Sequence, residues 1–316
     1  RDGYFSRLYN TTNDIETKVL TGPNVFVGNP AFKNPGRQMK NHLDFTPINL
    51  EDVPDEFFPI TVYKATEKGL RSDNYNSLTP WGTRHVDHYR IFARQQVSTT
   101  GSRTLQAAIL PPGPTHVHSM MSLSFRDEKE LVYTSGFFNS LIFDFLMRSI
   151  SGGTIGKSVY WMTPTLSPEQ LKHPLVPALM VRALRLSCVS THYADLWSRQ
   201  FQKEFCDFEV ESEFEPELPY SKLTKKWTRN TCIRNWRRRE QALCEIDAIV
   251  AIIFGFPKET LLNLYRSQFG ALQKRFHDLA GKSDPENPCY FPRYSAMENA
   301  YEQALKWLRS HSKKAA

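Results

Sequence analysis

The distribution of proline, glycine and β-branched residues changes near residue 167, and this change limits what the chain can fold into. Before that point, short runs rich in Val, Ile, Tyr and Phe alternate with turn clusters such as Gly22-Pro23 and residues 111–114. After it come long stretches without Gly or Pro, for example residues 179–201. Such a sequence favours an α+β fold. We expect an irregular β-rich lobe over residues 1–170, followed by a helical lobe over residues 171–316.

Six runs in the first lobe have the composition of short strands. They are residues 24–27, 60–63, 88–94, 105–110, 120–125 and 158–162. One run differs from these. Residues 137–147 are apolar nearly all round a helix and are followed by the helix stop Gly152-Gly153, so they predict a buried helix.

In the second lobe, apolar residues recur at steps of three and four, which is the helical period. This pattern predicts helices over residues 179–201 and 236–253, the second of which ends at Gly255. Pro257 favours the start of the next helix. Ser295 begins a capping-box sequence, which predicts the start of the last helix.

Composition limits the class of protein. Of the 316 residues, 40% are hydrophobic and 13% aromatic, which is enough to fill a core and excludes a disordered chain. The longest apolar run, residues 246–256, is broken by Asp247 and Gly255, so we expect no membrane span and no membrane partner. The five cysteines include no C-x-x-C pair, which indicates neither a disulfide framework nor a zinc site and favours a reducing cytoplasm.

The first residues of the chain bear on the parent protein, and the net charge bears on the partner. The chain begins with Arg-Asp-Gly-Tyr, with neither an initiator Met nor a signal pattern, so we expect a piece of a longer protein. Its net charge of +7 is compatible with a polyanionic partner such as nucleic acid.

The motifs that suggest a cofactor or a metal are incomplete. Residues 151–158 are similar to a phosphate-binding loop, but Ser151 stands where the first Gly belongs, and a strand-like run follows instead of a helix. Two histidine pairs, at 116 and 118 and at 85 and 88, lack a third ligand at a known spacing. The sequence therefore predicts no catalytic residue, no metal site and no cofactor in this segment.

Asn29-Pro30-Ala31-Phe32 is similar to the Asn-Pro-Pro-aromatic motif of amino-methyltransferases, which holds the exocyclic amine of a flipped base. Ala31 replaces the second proline, and the chain has no glycine-rich strand-turn-helix for S-adenosylmethionine. A self-contained methyltransferase with a degenerate motif stays open as an alternative.

Arginines are concentrated on and just after one predicted strand. Arg90 and Arg94 are an even number of residues apart and would share one face of a continuous strand. Arg103 and Thr104 follow in a turn rich in hydroxyl side chains. Because Arg is the usual bidentate reader of guanine and hydroxyls contact either backbone or base, these four residues are the predicted base readers. The alternative is a solvated face paired with acids such as Asp87.

A second set of basic residues is predicted to contact the DNA backbone. Lys225, Arg237 and Arg238 belong to a cluster at the entrance of a helix, and Lys157 lies near the end of the first lobe. Like charges crowded at such a place favour phosphate contact over base reading.

Several segments resemble, in order, parts of one protein family. They are residues 22–30 with Lys33 and Pro35, the arginine strand 89–94, residues 102–105, residues 108–113 and residues 245–251 with Gly255. Together they are similar to the C-terminal target-recognition region of large adenine-specific DNA methyltransferases. That family includes type IIG restriction-modification enzymes and the methyltransferases of BREX- and DISARM-type phage-defence systems. Residues 136–145 with Gly152-Gly153 look like the helix-and-strand unit of type I specificity subunits.

The resemblance implies sequence-specific recognition of double-stranded DNA. The partner would be a methyltransferase domain of the same parent chain, which would bind S-adenosylmethionine and methylate an adenine that has left the base stack. Because this segment has no S-adenosylmethionine motif and no nuclease signature, methyl transfer is implied for the parent protein only. A protein-protein scaffold in a defence complex is the second alternative.

Overall fold

A computed structural model describes residues 3–38, 44–161, 164–214, 216–279 and 282–312. It has an α+β fold with small sheets and a helical C-terminal region, as the sequence predicts. The strands are β1 Phe5–Asn10, β2 Lys18–Leu20, β3 Lys33–Pro35, β4 Phe45–Pro47, β5 Thr61–Ala65, β6 Arg90–Arg94, β7 Ala107–Leu110, β8 Thr115–His116 and β9 Met120–Ser124. The helices are α1 Glu67–Leu70, α2 Glu128–Phe138, α3 Leu141–Ile150, α4 Lys157–Trp161, α5 Pro168–Leu171, α6 Val176–Ser187, α7 Ala194–Gln200, α8 Trp236–Ile253, α9 Lys258–Gln268, α10 Gly270–Arg275 and α11 Arg293–Ser312.

The strands form two small sheets and one hairpin. The first sheet has the order β1-β5-β2-β8, in which β5 is antiparallel to both of its neighbours and β2 is parallel to β8. The second is an antiparallel sheet of order β7-β6-β9. Strands β3 and β4 pair with each other as a separate hairpin. These arrangements match the irregular β-rich lobe expected from the sequence.

Strand β6 lies at the centre of the second sheet and is buried at every position but the last. Four of the six predicted strands are confirmed, at β5, β6, β7 and β9. The strand predicted over residues 24–27 is wrong, because Gly28 adopts a φ of +62° and closes a tight bridge between Phe26 and Asn29. The strand predicted over residues 158–162 is also wrong. Its described residues belong to helix α4, whose Tyr160 packs against Phe138 in the core.

The helical predictions are confirmed for α8, which spans the predicted residues, and for α9, which Pro257 precedes. The predicted helix 137–147 is two helices, because Asn139 and Ser140 interrupt it and the Ser140 hydroxyl caps α3. The predicted helix 179–201 is likewise divided, into α6 and α7. The last helix begins at Arg293, two residues before the capping-box Ser295.

The main hydrophobic core extends across the predicted lobe boundary at residue 170. It joins Ile91 of the sheet, Phe137 of α2, Leu179 of α6 and Ile246 of α8 in one cluster of buried side chains. Helices α6 and α8 pack on each other, and α2 packs on α6. The sheet and the helices share this core. The division into lobes of residues 1–170 and 171–316 stays a prediction. No helix within the described ranges is long and apolar enough to cross a membrane.

Candidate nucleic-acid interface

The predicted arginine face on β6 is buried at Arg90 and half-buried at Arg94. Only 2% of Arg90 is exposed, and its guanidinium donates a 2.6 Å hydrogen bond to the carbonyl of Pro114. Burial lowers the pKa of Arg90 to about 10, with the charges of Tyr75 and Asp87 opposing that shift. This arginine supports the loop before β8 and offers no surface to a DNA base in this structure.

Arg103 and Thr104 are also buried, and a single carboxylate explains why. The Nε atom of Arg103 donates to Asp144 at 2.9 Å, and the backbone N–H groups of Thr104 and Leu105 donate to the same carboxylate. The Thr104 hydroxyl accepts a hydrogen bond from Arg148 of α3. These contacts fasten the loop before β7 to helix α3. Arg103 and Thr104 therefore do not present their side chains to a ligand, although the sequence assigned them to base reading.

The alternative to base reading was a solvated face paired with acids such as Asp87, and the structure pairs neither Arg90 nor Arg94 with a described acid. Asp87 binds Arg84 through two hydrogen bonds of 3.0 and 2.6 Å, rather than Arg90 or Arg94. The acid that holds Arg103 is Asp144, 41 residues away along the chain.

Arg94 is the predicted base reader that lines an open groove. Its Nε atom donates a 2.8 Å hydrogen bond to the carbonyl of Gly22, which fixes the guanidinium plane. Neither terminal nitrogen of Arg94 donates a hydrogen bond to another described residue. Burial lowers the pKa of Arg94 to about 10, so the group stays protonated at neutral pH. The two terminal nitrogens are the atoms that an arginine uses for bidentate recognition of guanine.

Gly22 makes this arrangement of Arg94 possible. A Cβ atom at position 22 would lie 3.3 Å from the Nε atom of Arg94, closer than side chains usually approach. The bare backbone therefore lets the guanidinium approach the Gly22 carbonyl.

The groove around Arg94 consists of two adjoining depressions that share Val62, with volumes of about 530 and 370 Å³. We call it the basic groove. Its polar and charged lining is Arg7, Tyr9, Thr21, Arg37, Gln38, Tyr63, Arg94, Gln96 and Ser119. No carboxylate lines either depression among the residues that the structure describes. Three arginines without an acid in the lining make this concave surface attractive to an anion.

Three side chains of the basic groove were missed in the sequence analysis. Arg37 and Gln96 are exposed and form no hydrogen bond or ion pair with the rest of the described chain. Arg7 lies on β1, an edge strand that the sequence analysis did not predict. One signal was present for Arg37, because it directly follows the turn cluster Asn34-Pro35-Gly36. Basic residues at such loop tips are often ligand contacts.

The predicted phosphate contacts lie on several surfaces. Lys157 and Lys225 are exposed. Arg237 donates to the carbonyl of Pro288 and lies over the ring of Trp236, whereas Arg238 is 3.7 Å from Glu217. None of the four lines the basic groove within the described ranges. Lys157 lies three residues after Thr154, which forms an isolated β-bridge with the groove residue Gln96.

In the degenerate motif at Asn29, the side-chain oxygen of Asn29 already accepts a hydrogen bond from a backbone N–H of the same motif. The side-chain oxygen of Asn29 accepts a 2.9 Å hydrogen bond from the N–H of Ala31. A proline at position 31 has no N–H and leaves that oxygen available. With Ala31 in place of the second proline, the N–H of Ala31 uses the acceptor that would hold the amine of a flipped base. This observation argues against an active centre at Asn29.

Three of the four histidines singled out in the sequence have hydroxyl partners within the described chain. His85 is 2.7 Å from the Ser124 hydroxyl, His88 is 2.6 Å from the Thr83 hydroxyl, and His116 contacts Ser122 at 3.0 Å. In the described parts of the chain, no group of three His, Cys, Asp or Glu side chains is arranged to hold a metal ion.

Comparison with protein-family models, with curated proteins and with solved structures found no match to this chain. The site is therefore interpreted from its own geometry and charge.

Proposed function

We propose that this chain binds double-stranded DNA in the basic groove and serves as the sequence-recognition region of a larger adenine-specific DNA methyltransferase. The observation that supports DNA binding most directly concerns Arg94. One hydrogen bond holds it in a groove whose described lining has no carboxylate, and neither terminal nitrogen is bonded to a described residue. The methyltransferase context rests on the sequence resemblance. Methyl transfer and S-adenosylmethionine binding are assigned to the parent protein.

Two kinds of contact follow from the side chains in the groove. Arg7 and Arg37 are exposed and suit phosphate oxygens, which fix the register of a duplex without reading its sequence. Arg94 and Gln96 suit base edges, because Arg binds guanine and Gln binds adenine through two hydrogen bonds each. This division replaces the earlier assignment of base reading to Arg90, Arg103 and Thr104.

A salt titration of duplex binding tests the proposal. A labelled duplex of about 20 base pairs should bind the chain with an affinity that falls steeply between roughly 50 and 200 mM salt, because phosphate contacts release condensed counterions. Arg37→Ala should flatten the slope of log affinity against log salt by about one unit. Arg71→Ala is the matched control, since Arg71 is exposed and lies outside the groove lining.

The alternatives predict different results. A protein-protein scaffold would show no duplex binding even at low salt. A self-contained methyltransferase would bind S-adenosylmethionine, whereas we expect calorimetry to detect no binding of S-adenosylmethionine to this chain. Either result would reject the proposal and favour the corresponding alternative.

A further inference from the structure

A second cleft lies between the segment around residues 26–33, the start of α8 and the end of α10, and none of the residues assigned to the basic groove lines it. Its volume is about 680 Å³. Four aromatic side chains, Phe26, Phe32, Trp236 and Phe276, line it together with the basic residues Lys33 and Arg275. We call it the aromatic cleft.

The four rings form two stacked pairs. Phe26 and Phe32 have ring centroids 4.7 Å apart and planes inclined by 24°. Trp236 and Phe276 have centroids 6.2 Å apart and planes that are nearly parallel, at 6°. Trp236 is 39% exposed, which is unusual for so large an apolar side chain. Phe26 and Phe32 are half-buried and Phe276 is buried, so Trp236 is the ring that the cleft presents most fully to solvent.

A cation lies against each aromatic pair. The guanidinium carbon of Arg275 is 4.9 Å from the centre of the Phe26 ring and 5.2 Å from that of Phe276, so it bridges the two pairs. Lys33 lies 5.3 Å from the centre of Phe32, and Arg237 lies 4.9 Å from that of Trp236. Aromatic rings alternating with cations are the surface that unpaired nucleic-acid strands bind, through base stacking and phosphate attraction.

The cations of the cleft differ in how firmly they are held. Arg239 is buried and donates to the carbonyls of Ile233, Gly28 and Leu186, so it supports the cleft wall. Arg275 donates no hydrogen bond and forms no ion pair with any other described residue. Its planar guanidinium therefore occupies a position between two rings without a polar partner, and leaving that position costs it the two ring contacts but no hydrogen bond or ion pair.

The carboxylates of the cleft already have partners. Glu240 accepts a 2.8 Å hydrogen bond from Arg293, and Glu51 accepts longer hydrogen bonds from the side chain of Asn235. Asn235 is neutral, so the exposed Glu51 keeps its negative charge, but the described lining holds four basic side chains against these two carboxylates. The cleft accordingly favours a ligand that combines a flat aromatic ring with negative charge.

We propose that the aromatic cleft binds an unpaired nucleotide. Its base would stack on the Phe26 and Phe276 rings in place of the Arg275 guanidinium, which would turn with Lys33 towards the phosphate. This inference goes beyond duplex recognition, because a paired base in a duplex does not expose its ring face. The same chemistry is present in a free mononucleotide and in an unpaired nucleotide of a strand.

Binding to three ligands separates these sources. They are a fully paired duplex, the same duplex with one extra unpaired adenine, and free dAMP. We expect the unpaired adenine to raise the affinity about tenfold, which is the effect of one stacked base. Phe26→Ala, which removes a stacking ring, should abolish this increment and leave binding of the paired duplex unchanged, whereas Arg275→Ala, which loses the phosphate contact but uncovers the rings, should reduce it only in part. Phe256→Ala is the control, because Phe256 is 38% exposed and lies outside the cleft lining.

Cys289 supplies a direct measure of occupancy. It lines the cleft and is the exposed cysteine, whereas Cys188, Cys232 and Cys244 are buried and Cys206 is half-buried. An environment-sensitive fluorophore on Cys289 should respond saturably to dAMP and not to deoxyribose 5-phosphate, which lacks the base. Thermal unfolding of each variant shows whether a lost fluorescence response results from loss of the fold. The labelled Arg275→Lys variant, which keeps the charge, should retain part of the response.

The outcomes distinguish this proposal from the proposed function. Equal affinity for the paired and bulged duplexes, together with no response of the Cys289 fluorophore to dAMP, would overturn the nucleotide site. A response to an acidic aromatic peptide but not to dAMP would overturn it in favour of a protein partner. A response to dAMP without any duplex binding would support the cleft and reject the basic groove.

Discussion

Arginines in the helical interior and arginines in the basic groove have opposite surroundings. Arg182 and Arg293 are almost fully buried, and each donates to a carboxylate, Glu245 at 2.6 Å and Asp247 at 2.5 Å. Arg94 is half-buried in a groove whose described lining includes no carboxylate. The comparison teaches that the number of arginines in a segment does not identify a nucleic-acid surface. An arginine can meet an anion only where it is accessible and not already paired with an acid, and only the folded structure shows this.

The largest expected effect tests the interior half of this comparison. Asp247→Ala would leave Arg293 with Glu240 as its remaining carboxylate partner and would leave the buried N–H of Leu141 without an acceptor. Removing one partner of a buried ion pair costs about 3 to 5 kcal/mol, and the unpaired N–H adds to the loss. Urea unfolding should show this loss. Asp55→Ala, which breaks a half-exposed ion pair with Arg229, should cost no more than about 1 kcal/mol.

If Asp247→Ala and Asp55→Ala reduced the free energy of unfolding equally, the interior ion pair would not have the structural role assigned to it.

A second pair of variants compares two predicted base readers directly. Arg103→Ala should destabilise the chain by about 3 kcal/mol, since it removes the nearer of the two arginines beside the buried Asp144 carboxylate and leaves Arg148 at 3.6 Å. Arg94→Ala should change the free energy of unfolding by about 1 kcal/mol, the value of its one hydrogen bond to Gly22. Differential scanning calorimetry measures both. Equal stabilities for the two variants would contradict the division between interior and groove.

The pH dependence of stability tests whether the folded chain disfavours the protonated, charged form of His116. Burial, assisted by the charge of Arg90, lowers the pKa of His116 to about 4, against 6.5 for an ordinary histidine. Between pH 6.5 and 4 the unfolded chain binds a proton at this position that the folded chain does not. Stability from this group is therefore present above pH 6.5 and is lost as the pH falls, by roughly 2 kcal/mol at pH 5.

The control for the pH experiment is a neighbouring histidine. Urea unfolding of His116→Gln at pH 7 and pH 5 should show a smaller loss of stability than the original chain. His118→Gln should behave like the original chain, because His118 is exposed. An unchanged pH dependence in His116→Gln would show that this imidazole is protonated as readily in the folded state as in the unfolded one.

The sequence predicted those parts of the fold that local periodicity determines. The alternation and β-branching of residues 61–65 and 90–94 identified β5 and β6, and three- and four-residue steps identified α8. Helix α4 was missed because Val159, Tyr160 and Trp161 favour strands, while packing of Tyr160 in the core selects a helix. Local propensity is commonly overridden by such tertiary contacts.

The site was predictable only in part, since its composition depends on contacts between distant residues. Nothing in the sequence near Arg103 indicates that Asp144 will bind it, 41 residues further along the chain. Likewise, Arg94 meets Gly22 across 72 residues, and Arg37 and Arg7 come from segments before it. Spacing on β6 therefore singled out Arg94 as a base reader but could not separate it from the buried Arg90.

Selection from a library of randomised duplexes is the most direct test of the central claim, which is that Arg94 reads DNA sequence from the basic groove. The unmodified chain should enrich a defined site. Arg94→Ala should lose about 1 to 3 kcal/mol of affinity for that site, a smaller amount for scrambled DNA, and its specificity at one base pair. Equal losses of affinity on the enriched and scrambled duplexes, or no enriched site at all, would contradict sequence reading by Arg94.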